Sequence, residues 1–153
     1  MADPKEAVAI AQRLQKWAEG KATLKDVRGY SDEELYAIAK MGYYFFYQGK
    51  VSEARTVFQG LYAINPLDAY FAKALGVVEM VAGNPAGALA AYDVAVKLSP
   101  TDSVAYLGRA EVKLSQGQRA AAIDDLRKAD QHAALEAPEK AKISALLGTL
   151  LKK

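Results

Sequence analysis

The stretch GYYFFYQGKVSEARTVF, residues 42–58, is echoed twice further along the chain. The echoes are GVVEMVAGNPAGALAAY at 76–92 and AEVKLSQGQRAAAIDDL at 110–126, so each copy begins 34 residues after the previous one. Five columns keep this step, which chance does not explain, so the chain contains an internal repeat. The columns are Gly42, Gly76 and Ala110; Gly49, Gly83 and Gly117; Ala54, Ala88 and Ala122; Phe58, Tyr92 and Leu126; and Pro66, Pro100 and Ala134.

A period of 34 residues with this pattern is typical of the tetratricopeptide repeat, in which each repeat is a pair of antiparallel helices, A and B. The fold class is therefore predicted to be all-α. Three tandem repeats should form a curved array between an N-terminal helix and a C-terminal capping helix. The predicted segments are 1–31 (N-terminal helix and linker, a possible dimerisation element), 32–136 (repeats 35–68, 69–102 and 103–136) and 137–153 (capping helix). Such arrays usually bind another polypeptide and seldom catalyse a reaction.

The small residues of the repeated columns predict that helices A and B of each repeat approach closely. Small side chains on helix A are expected to face small ones on helix B, and the column Phe58, Tyr92 and Leu126 should fill the space beside them. Packing explains these columns, so no binding role is assigned to them.

Composition narrows the range of functions. The chain has no Cys, which excludes disulfides and Cys-ligated zinc. Its net charge is +2, and its Lys and Arg residues form no basic stripe that would bind nucleic acid. The single histidine, His132, has no neighbouring ligand pattern for a metal, and Asp124 and Asp125 are interpreted as part of a solvated face. No catalytic constellation or phosphate-binding loop is recognisable. We therefore expect no enzymatic activity, no cofactor, no metal and no nucleic-acid partner.

The sequence also bears on location. No apolar run approaches the roughly 18 residues that a membrane span requires. The N-terminus begins acidic and helical, unlike a signal peptide. A cytoplasmic protein that does not insert into a membrane is the expectation.

The N-terminal helix is predicted to cover residues 3–19, with Asp3 as its cap. Ile10, Leu14 and Trp17 form an apolar stripe along it. This stripe is large for a single helix followed by a linker, so it either packs on the repeats of its own chain or pairs with a second subunit. Near-heptad spacing favours dimerisation through Ile10, Leu14 and Trp17.

Helix A of the first repeat carries an aromatic run, YYFFY at 43–47. A single core face does not require five consecutive aromatic residues. Two faces are predicted from steps of three and four: a core face of Ile38, Met41, Gly42 and Phe45, and a binding face of Tyr36, Ala39, Lys40, Tyr43, Phe46 and Tyr47. The alternative is that all five aromatics pack against neighbouring helices, and for Tyr44 and Phe45 this alternative is the preferred interpretation.

The same face is predicted to continue along the later repeats, giving an apolar groove with few charges. Its residues are Tyr70, Lys73, Val77, Met80 and Val81 in repeat two, and Val104, Leu107, Glu111 and Leu114 in repeat three. Such a surface suits an extended peptide that inserts apolar side chains at intervals, with Tyr as anchor. A clamp for a terminal carboxylate is not expected, because Asn65 and Asn84 lie in turns and Ala39 and Tyr43 stand at the clamp positions.

Several stretches resemble the class II translocator chaperones of bacterial type III secretion, the SycD/LcrH type. They are TLKDV at 23–27, SDEELY at 31–36, QGK at 48–50, EA at 53–54 and VFQGL at 57–61. The resemblance covers about residues 20–150, and the second repeat departs from it at 76–82 and 84–87. It implies a cytoplasmic chaperone that keeps pore-forming translocators soluble before export, binds an extended client segment in its concave groove, and dimerises through N-terminal elements. Carried over by position, the groove is Tyr36, Lys40, Tyr43, Phe46, Tyr47, Tyr70, Lys73 and Val77.

A second class of function is compatible with the residues. The array could serve as an adaptor that holds folded partners together without any role in export. A client with membrane-active helices would favour the chaperone, and partners with folded domains would favour the adaptor.

Overall fold

The computed structural model describes residues 3–152, and within that range every regular element is a helix. The helices are α1 (Pro4–Ala18), α2 (Leu24–Arg28), α3 (Asp32–Tyr47), α4 (Val51–Ile64), α5 (Ala69–Val81), α6 (Pro85–Leu98), α7 (Ser103–Ser115), α8 (Arg119–His132) and α9 (Pro138–Leu151). They form two compact units, one ending at Leu67 and one beginning at Asp68. Unit 1 contains the hairpin α3–α4, and unit 2 contains the hairpins α5–α6 and α7–α8 followed by α9. The predicted all-α repeat fold is confirmed.

Local sequence explains where the helices of unit 1 begin. The Asp3 side chain accepts a hydrogen bond from the Lys5 amide at the start of α1. Thr23 and Asp26 form a reciprocal capping box at α2, and Ser31 and Glu34 form another at α3. Each box satisfies amide groups that a helix start leaves without partners.

The repeated glycines end helix A of each hairpin. Gly49, Gly83 and Gly117 all adopt φ between 75° and 77°, a left-handed conformation that side chains with a Cβ disfavour. One residue later, the amide of Lys50 donates to the Phe45 carbonyl at 2.9 Å, and the equivalent bonds in the other two hairpins have the same length. This is the glycine-terminated helix end of the Schellman motif. The 34-residue period of glycine is therefore the period of the helix-ending turn.

Close helix packing places an aromatic ring directly on glycine. A Cβ added to Gly42 would lie 2.8 Å from the Phe58 ring, and one added to Gly76 would lie 2.8 Å from the Tyr92 ring. The rings were predicted to fill the space beside the small residues. They instead lie directly against the glycines. Gly108, which the sequence did not single out, contacts the other edge of Tyr92, where a Cβ would stand 2.4 Å from Cζ.

Gly108→Ala is expected to lower the free energy of unfolding by roughly 1–3 kcal/mol, because the added methyl group overlaps a ring held between α5 and α7. Urea unfolding followed by circular dichroism measures the change. Gly60→Ala is the matched control, since a Cβ there meets nothing within 4 Å. Equal stability of the two variants would show that Tyr92 is not held between Gly76 and Gly108.

The buried stripe of α3 differs from the predicted core face. Leu35, Ala39 and Gly42 are buried, and α4 packs across them. Ile38 is 38% exposed and Met41 is 58% exposed, so their assignment to the core is wrong. Ala39, assigned to the binding face, is fully buried. The buried stripe is narrower than the predicted core face because one neighbouring helix covers only three to four residues per two turns.

The interpretation of Asp124 and Asp125 as a solvated face holds for only one of them. The Asp124 side chain is 72% exposed, whereas that of Asp125 is 2% exposed and bonded to Arg109 and Lys113. Successive residues of a helix point about 100° apart, so adjacent acidic residues do not share a face.

The last helix, α9, packs on α8 and α7 within unit 2. Ile143 is fully buried, while Leu146, Leu147 and Leu150 are partly covered and Leu151 is exposed. Two polar contacts fix its first turn: the Ser103 hydroxyl donates to Glu139 at 2.7 Å, and Lys140 pairs with Asp130 at 2.6 Å. The C-terminal capping helix therefore runs from Pro138 to Leu151, and Ile143 is its one buried residue.

Candidate functional site

The aromatic run on α3 forms the most exposed aromatic surface of unit 1. Tyr47 is 80% exposed and Tyr44 is 62% exposed, while Tyr43, Phe45 and Phe46 are partly buried. The preferred interpretation of Tyr44 as a packing residue is therefore wrong. Tyr44 stands next to exposed Met41, on a side of α3 that α4 does not cover.

Three of these side chains form a connected cluster, which we call the aromatic face: Tyr43, Phe46 and Tyr47. The Tyr43 ring meets the buried Phe58 ring edge-on at 5.0 Å and stacks on Tyr47 at 6.4 Å. Phe46 contacts Tyr47 edge-on at 5.8 Å. Contacts between rings at these distances are individually worth about 0.5–1.5 kcal/mol. The exposed Tyr47 ring is thus held by two neighbours, of which Tyr43 contacts the buried Phe58.

Tyr36 and Lys40 precede the aromatic face on the same helix. Steps of four and seven residues place Tyr36, Lys40, Tyr43 and Tyr47 on one side of α3. Tyr36 is 40% exposed and Lys40 is exposed. Of the six residues predicted for the binding face of α3, all except the buried Ala39 therefore keep accessible surface.

In unit 2, the predicted contact residues of α5 fall into two groups. Tyr70 is 38% exposed and stands 5.8 Å from the Phe71 ring. Val77 and Met80 instead pack against the core residues Ala88, Tyr92 and Val112, and they keep only part of their surface. Substitutions at Val77 or Met80 therefore affect stability as well as any binding.

The residues predicted on α7 are placed differently from one another. Val104 is 43% exposed and Leu114 is partly buried. Leu107 is only 6% exposed, so the structure places it in the core of unit 2 instead of on an accessible surface. The reason is that α7 packs against α5, α6, α8 and α9, which leaves it little free surface.

Charges at the predicted contact positions of unit 2 are neutralised within the chain. Lys73 pairs with Asp102 at 2.6 Å, and Lys142 pairs with Glu111. Asp102 also accepts the amides of Val104 and Ala105 at the start of α7. The Lys73 and Glu111 side chains are consequently less available to a charged ligand.

A buried ion cluster that sequence reasoning missed lies between α7 and α8. Arg109 donates two hydrogen bonds to Asp125, at 2.7 and 2.8 Å, and a third to Asp93 at 3.0 Å, while Lys113 donates to Asp125 at 2.6 Å. Burial opposes ionisation of Asp125, but the bonds from Arg109 and Lys113 outweigh it and lower its pKa below the usual value. The available signal was the four-residue step from Arg109 to Lys113, which places two cations on one side of α7.

The Ile10, Leu14 and Trp17 stripe on α1 stays exposed, with between 39% and 48% of each residue accessible. No residue of α1 is buried, and α1 packs mainly against the short α2 within unit 1. The dimerisation role of this stripe stays a prediction.

The described residues provide neither a candidate metal centre nor a candidate membrane span. Among residues 3–152, no three His, Asp or Glu side chains come together in a way that could hold a metal ion. His132 stacks on Tyr106, with ring centres 6.1 Å apart. None of the described helices has the length and apolar content to cross a bilayer.

Comparison with known proteins agrees with the repeat fold. The tetratricopeptide-repeat family model matches residues 39–103. A comparison with curated proteins finds no significant match. Among solved structures, the Yersinia enterocolitica type III secretion translocator chaperone SycD is similar at 23% identity and a TM-score of 0.76, over 84% of this chain and 98% of SycD. SycD has also been solved in complex with a peptide of the translocator YopD.

Two further structures show how widely the fold is used. PcrH of Pseudomonas aeruginosa, in complex with the chaperone-binding region of PopD, is 24% identical with a TM-score of 0.73, over 80% of this chain and 94% of PcrH. The first tetratricopeptide domain of Spaghetti (RPAP3), bound to the HSP90 peptide SRMEEVD, is 21% identical with a TM-score of 0.65, over 77% and 96%. At these identities the likeness establishes the fold. The chain is all-helical and has the tetratricopeptide-repeat fold of these solved structures.

Proposed function

We propose that this protein is a cytoplasmic chaperone of type III secretion translocators. It holds an extended apolar segment of its client and keeps the client soluble before export. The client contacts the aromatic face with Tyr36 and Lys40 in unit 1, and Tyr70, Lys73, Val77, Met80 and Glu111 in unit 2. The observation that carries the proposal is the exposed, core-anchored aromatic face on α3.

The geometry of the aromatic face supports peptide binding. A Tyr side chain has few rotatable bonds, and here Tyr47 is already stacked on Tyr43, so little side-chain entropy remains to be lost on binding. Its large exposed ring offers the apolar area that anchors of peptide interfaces use. Solved relatives of the same fold carry translocator peptides, which adds to the proposal.

Electrostatics supports an apolar ligand instead of a charged tail. Lys73 and Glu111 each have a partner of opposite charge within unit 2, which leaves Lys40 as the unneutralised cation among the proposed contact residues. A clamp for a terminal carboxylate requires several free cations and amide side chains. The HSP90 peptide seen on the Spaghetti domain carries acidic residues near its end, and this chain's proposed surface lacks the charges to match it.

Co-expression with neighbouring gene products tests the proposal most simply. We expect a translocator with membrane-active helices to be recovered in soluble form only together with this chain, and limited proteolysis of the complex to leave a short apolar client segment protected. A client that stays soluble alone, or protection of a whole folded domain, would contradict the chaperone role and favour an adaptor.

A further inference from the structure

A second candidate binding surface lies on unit 1, between α1 and α2. A groove of about 570 Å³ separates these helices. Its large apolar lining residues are Ile10, Leu14 and Trp17 from α1 with Leu24 and Val27 from α2, and Ala9, Glu6, Arg13 and Arg28 complete the lining. The sequence pattern had identified only the α1 half of this lining. The α2 half shows that the stripe is one wall of a groove.

A basic pocket of about 540 Å³ adjoins the groove. Its lining includes four cations, Arg13, Lys16, Lys21 and Lys25, together with Tyr30. Arg13 lines both the pocket and the groove, and its guanidinium lies over the end of α2, 3.6 Å from where a Cβ of Gly29 would stand. The apolar groove and the basic pocket therefore meet at Arg13.

Part of this positive charge is not neutralised. Among the described residues, neither Arg13 nor Lys16 pairs with a carboxylate. Lys21 pairs with Glu19 at 2.8 Å, but its side chain is 71% exposed, and Lys25 pairs with Asp32. The one carboxylate that lines the basic pocket, Asp26, is engaged with Thr23 in the capping box of α2.

We propose that this composite surface binds an acidic amphipathic segment of another protein, which takes the place at Ile10, Leu14 and Trp17 that the spacing within α1 predicts for a second subunit. Apolar side chains of the segment occupy the groove, and its carboxylates lie against Arg13 and Lys16. Charge complementarity selects this occupant. A nucleic acid would not fill an apolar groove that also carries Glu6. A second α1 with its caps carries Asp3, Glu6 and Glu19 but also Lys5, Arg13 and Lys16, so it brings no net negative charge to a pocket of four cations.

This surface is distinct from the aromatic face, and binding to it should depend on salt concentration, unlike binding to the aromatic face. Opposite charges on a solvent-exposed surface attract less as ionic strength rises. Binding through the aromatic face should change little with salt, whereas binding at the α1–α2 groove should weaken. The two sites can therefore be tested independently on the full chain.

Trp17 is the chain's only tryptophan, and it lines the groove, so its fluorescence reports occupancy directly. The probe is a synthetic amphipathic peptide of roughly 15 residues, with Leu on one face and Glu on the flanks, long enough to form a helix when bound. Its control is the same peptide with Gln at every Glu. We expect the Glu peptide to shift the Trp17 emission and to bind at least tenfold more tightly than the Gln peptide.

Variants of the protein sharpen the test. The double variant Arg13→Gln with Lys16→Gln should lower the affinity for the Glu peptide about three- to tenfold, which is the size expected for the loss of two exposed charge pairs. Lys5→Gln is the matched control, because it removes one positive charge from α1 outside both pockets and should leave affinity unchanged. Tyr47→Ala should also leave the affinity for the Glu peptide unchanged, although it should weaken binding of the client. The α1–α2 groove and the proposed chaperone function can therefore fail independently.

Four results would each overturn the proposal. The first is equal binding of the Glu and Gln peptides, and the second is equal binding of the Glu peptide to the double variant and to the native chain. The third is displacement of the peptide by a single-stranded oligonucleotide. The fourth is a sedimenting complex with two protein chains for each peptide, which would mean that a second copy occupies the groove. One chain with one peptide is the expected species.

Discussion

Asp125→Ala should lower the free energy of unfolding by about 3–5 kcal/mol, the largest stability change that we expect from a single substitution in this chain. Asp125 is 2% exposed and accepts bonds from Arg109 and Lys113, whose side chains are only 14% and 16% exposed. Removing the carboxylate leaves two poorly hydrated cations without their shared partner. Urea unfolding followed by helical circular dichroism at neutral pH gives the difference.

Asp124→Ala provides the matched control for this substitution. It is the same chemical change one residue earlier on α8, where the side chain is 72% exposed and lies 3.9 Å from Arg127. An exposed pair of this kind contributes about 0.2–1 kcal/mol at most. Losses of similar size in the two variants would contradict the structural role of the Asp125 cluster.

The same cluster predicts part of the acid sensitivity. Because the folded state lowers the pKa of Asp125 below its ordinary value of 3.8, its contribution to stability is present above that value and is lost as the pH falls through the lower, folded-state pKa. Between neutral pH and strong acid, Asp125→Ala should therefore lose less stability than the native chain. Unfolding curves at a series of pH values measure this difference.

Tyr47→Ala should weaken binding of the client's apolar segment by about tenfold to a hundredfold, equivalent to about 1–3 kcal/mol for an anchoring residue. Tyr47 is 80% exposed, so its truncation removes contact area without opening a cavity in the core. Helix content and unfolding midpoint should stay close to those of the native chain. Calorimetric titration with the segment protected in limited proteolysis gives the affinity.

Tyr44→Ala is the control for the aromatic face. Tyr44 is the same residue type on the same helix and is 62% exposed, but its ring contacts Phe45 and not the Tyr43–Tyr47 pair. We expect at most a small change in affinity. If both variants bind as the native chain does, or if Tyr47→Ala unfolds the protein, the aromatic face is not a binding surface.

The sequence predicted the fold well because the fold depends on local signals that repeat. Gly49, Gly83 and Gly117 occupy left-handed turns, and Ser31 with Glu34 caps α3, so helix ends could be predicted from single residues. Faces were harder to predict. Ile38 and Met41 have the spacing of a core stripe and yet are exposed, because burial depends on how much of α3 the neighbouring helix covers.

Long-range polar contacts were not predictable from spacing. Asp125 looks like its neighbour Asp124 in sequence, and only the packing of α7 on α8 makes it the centre of an ion cluster. In the same way, Leu107 has the register of a contact residue but lies under neighbouring helices. The α1–α2 groove could not be predicted from the periodicity of α1, because its second wall is formed by Leu24 and Val27 of α2.

Calorimetric titration of the client's apolar segment across temperature and salt is the most direct test of the proposed function. Burial of apolar surface predicts a negative heat-capacity change on binding. The pairing of Lys73 with Asp102 and of Lys142 with Glu111 predicts an affinity that changes less than about threefold between about 50 mM and about 500 mM salt. An affinity that collapses with added salt, or that requires the segment's free C-terminus, would show that this surface recognises charge and would contradict the proposal.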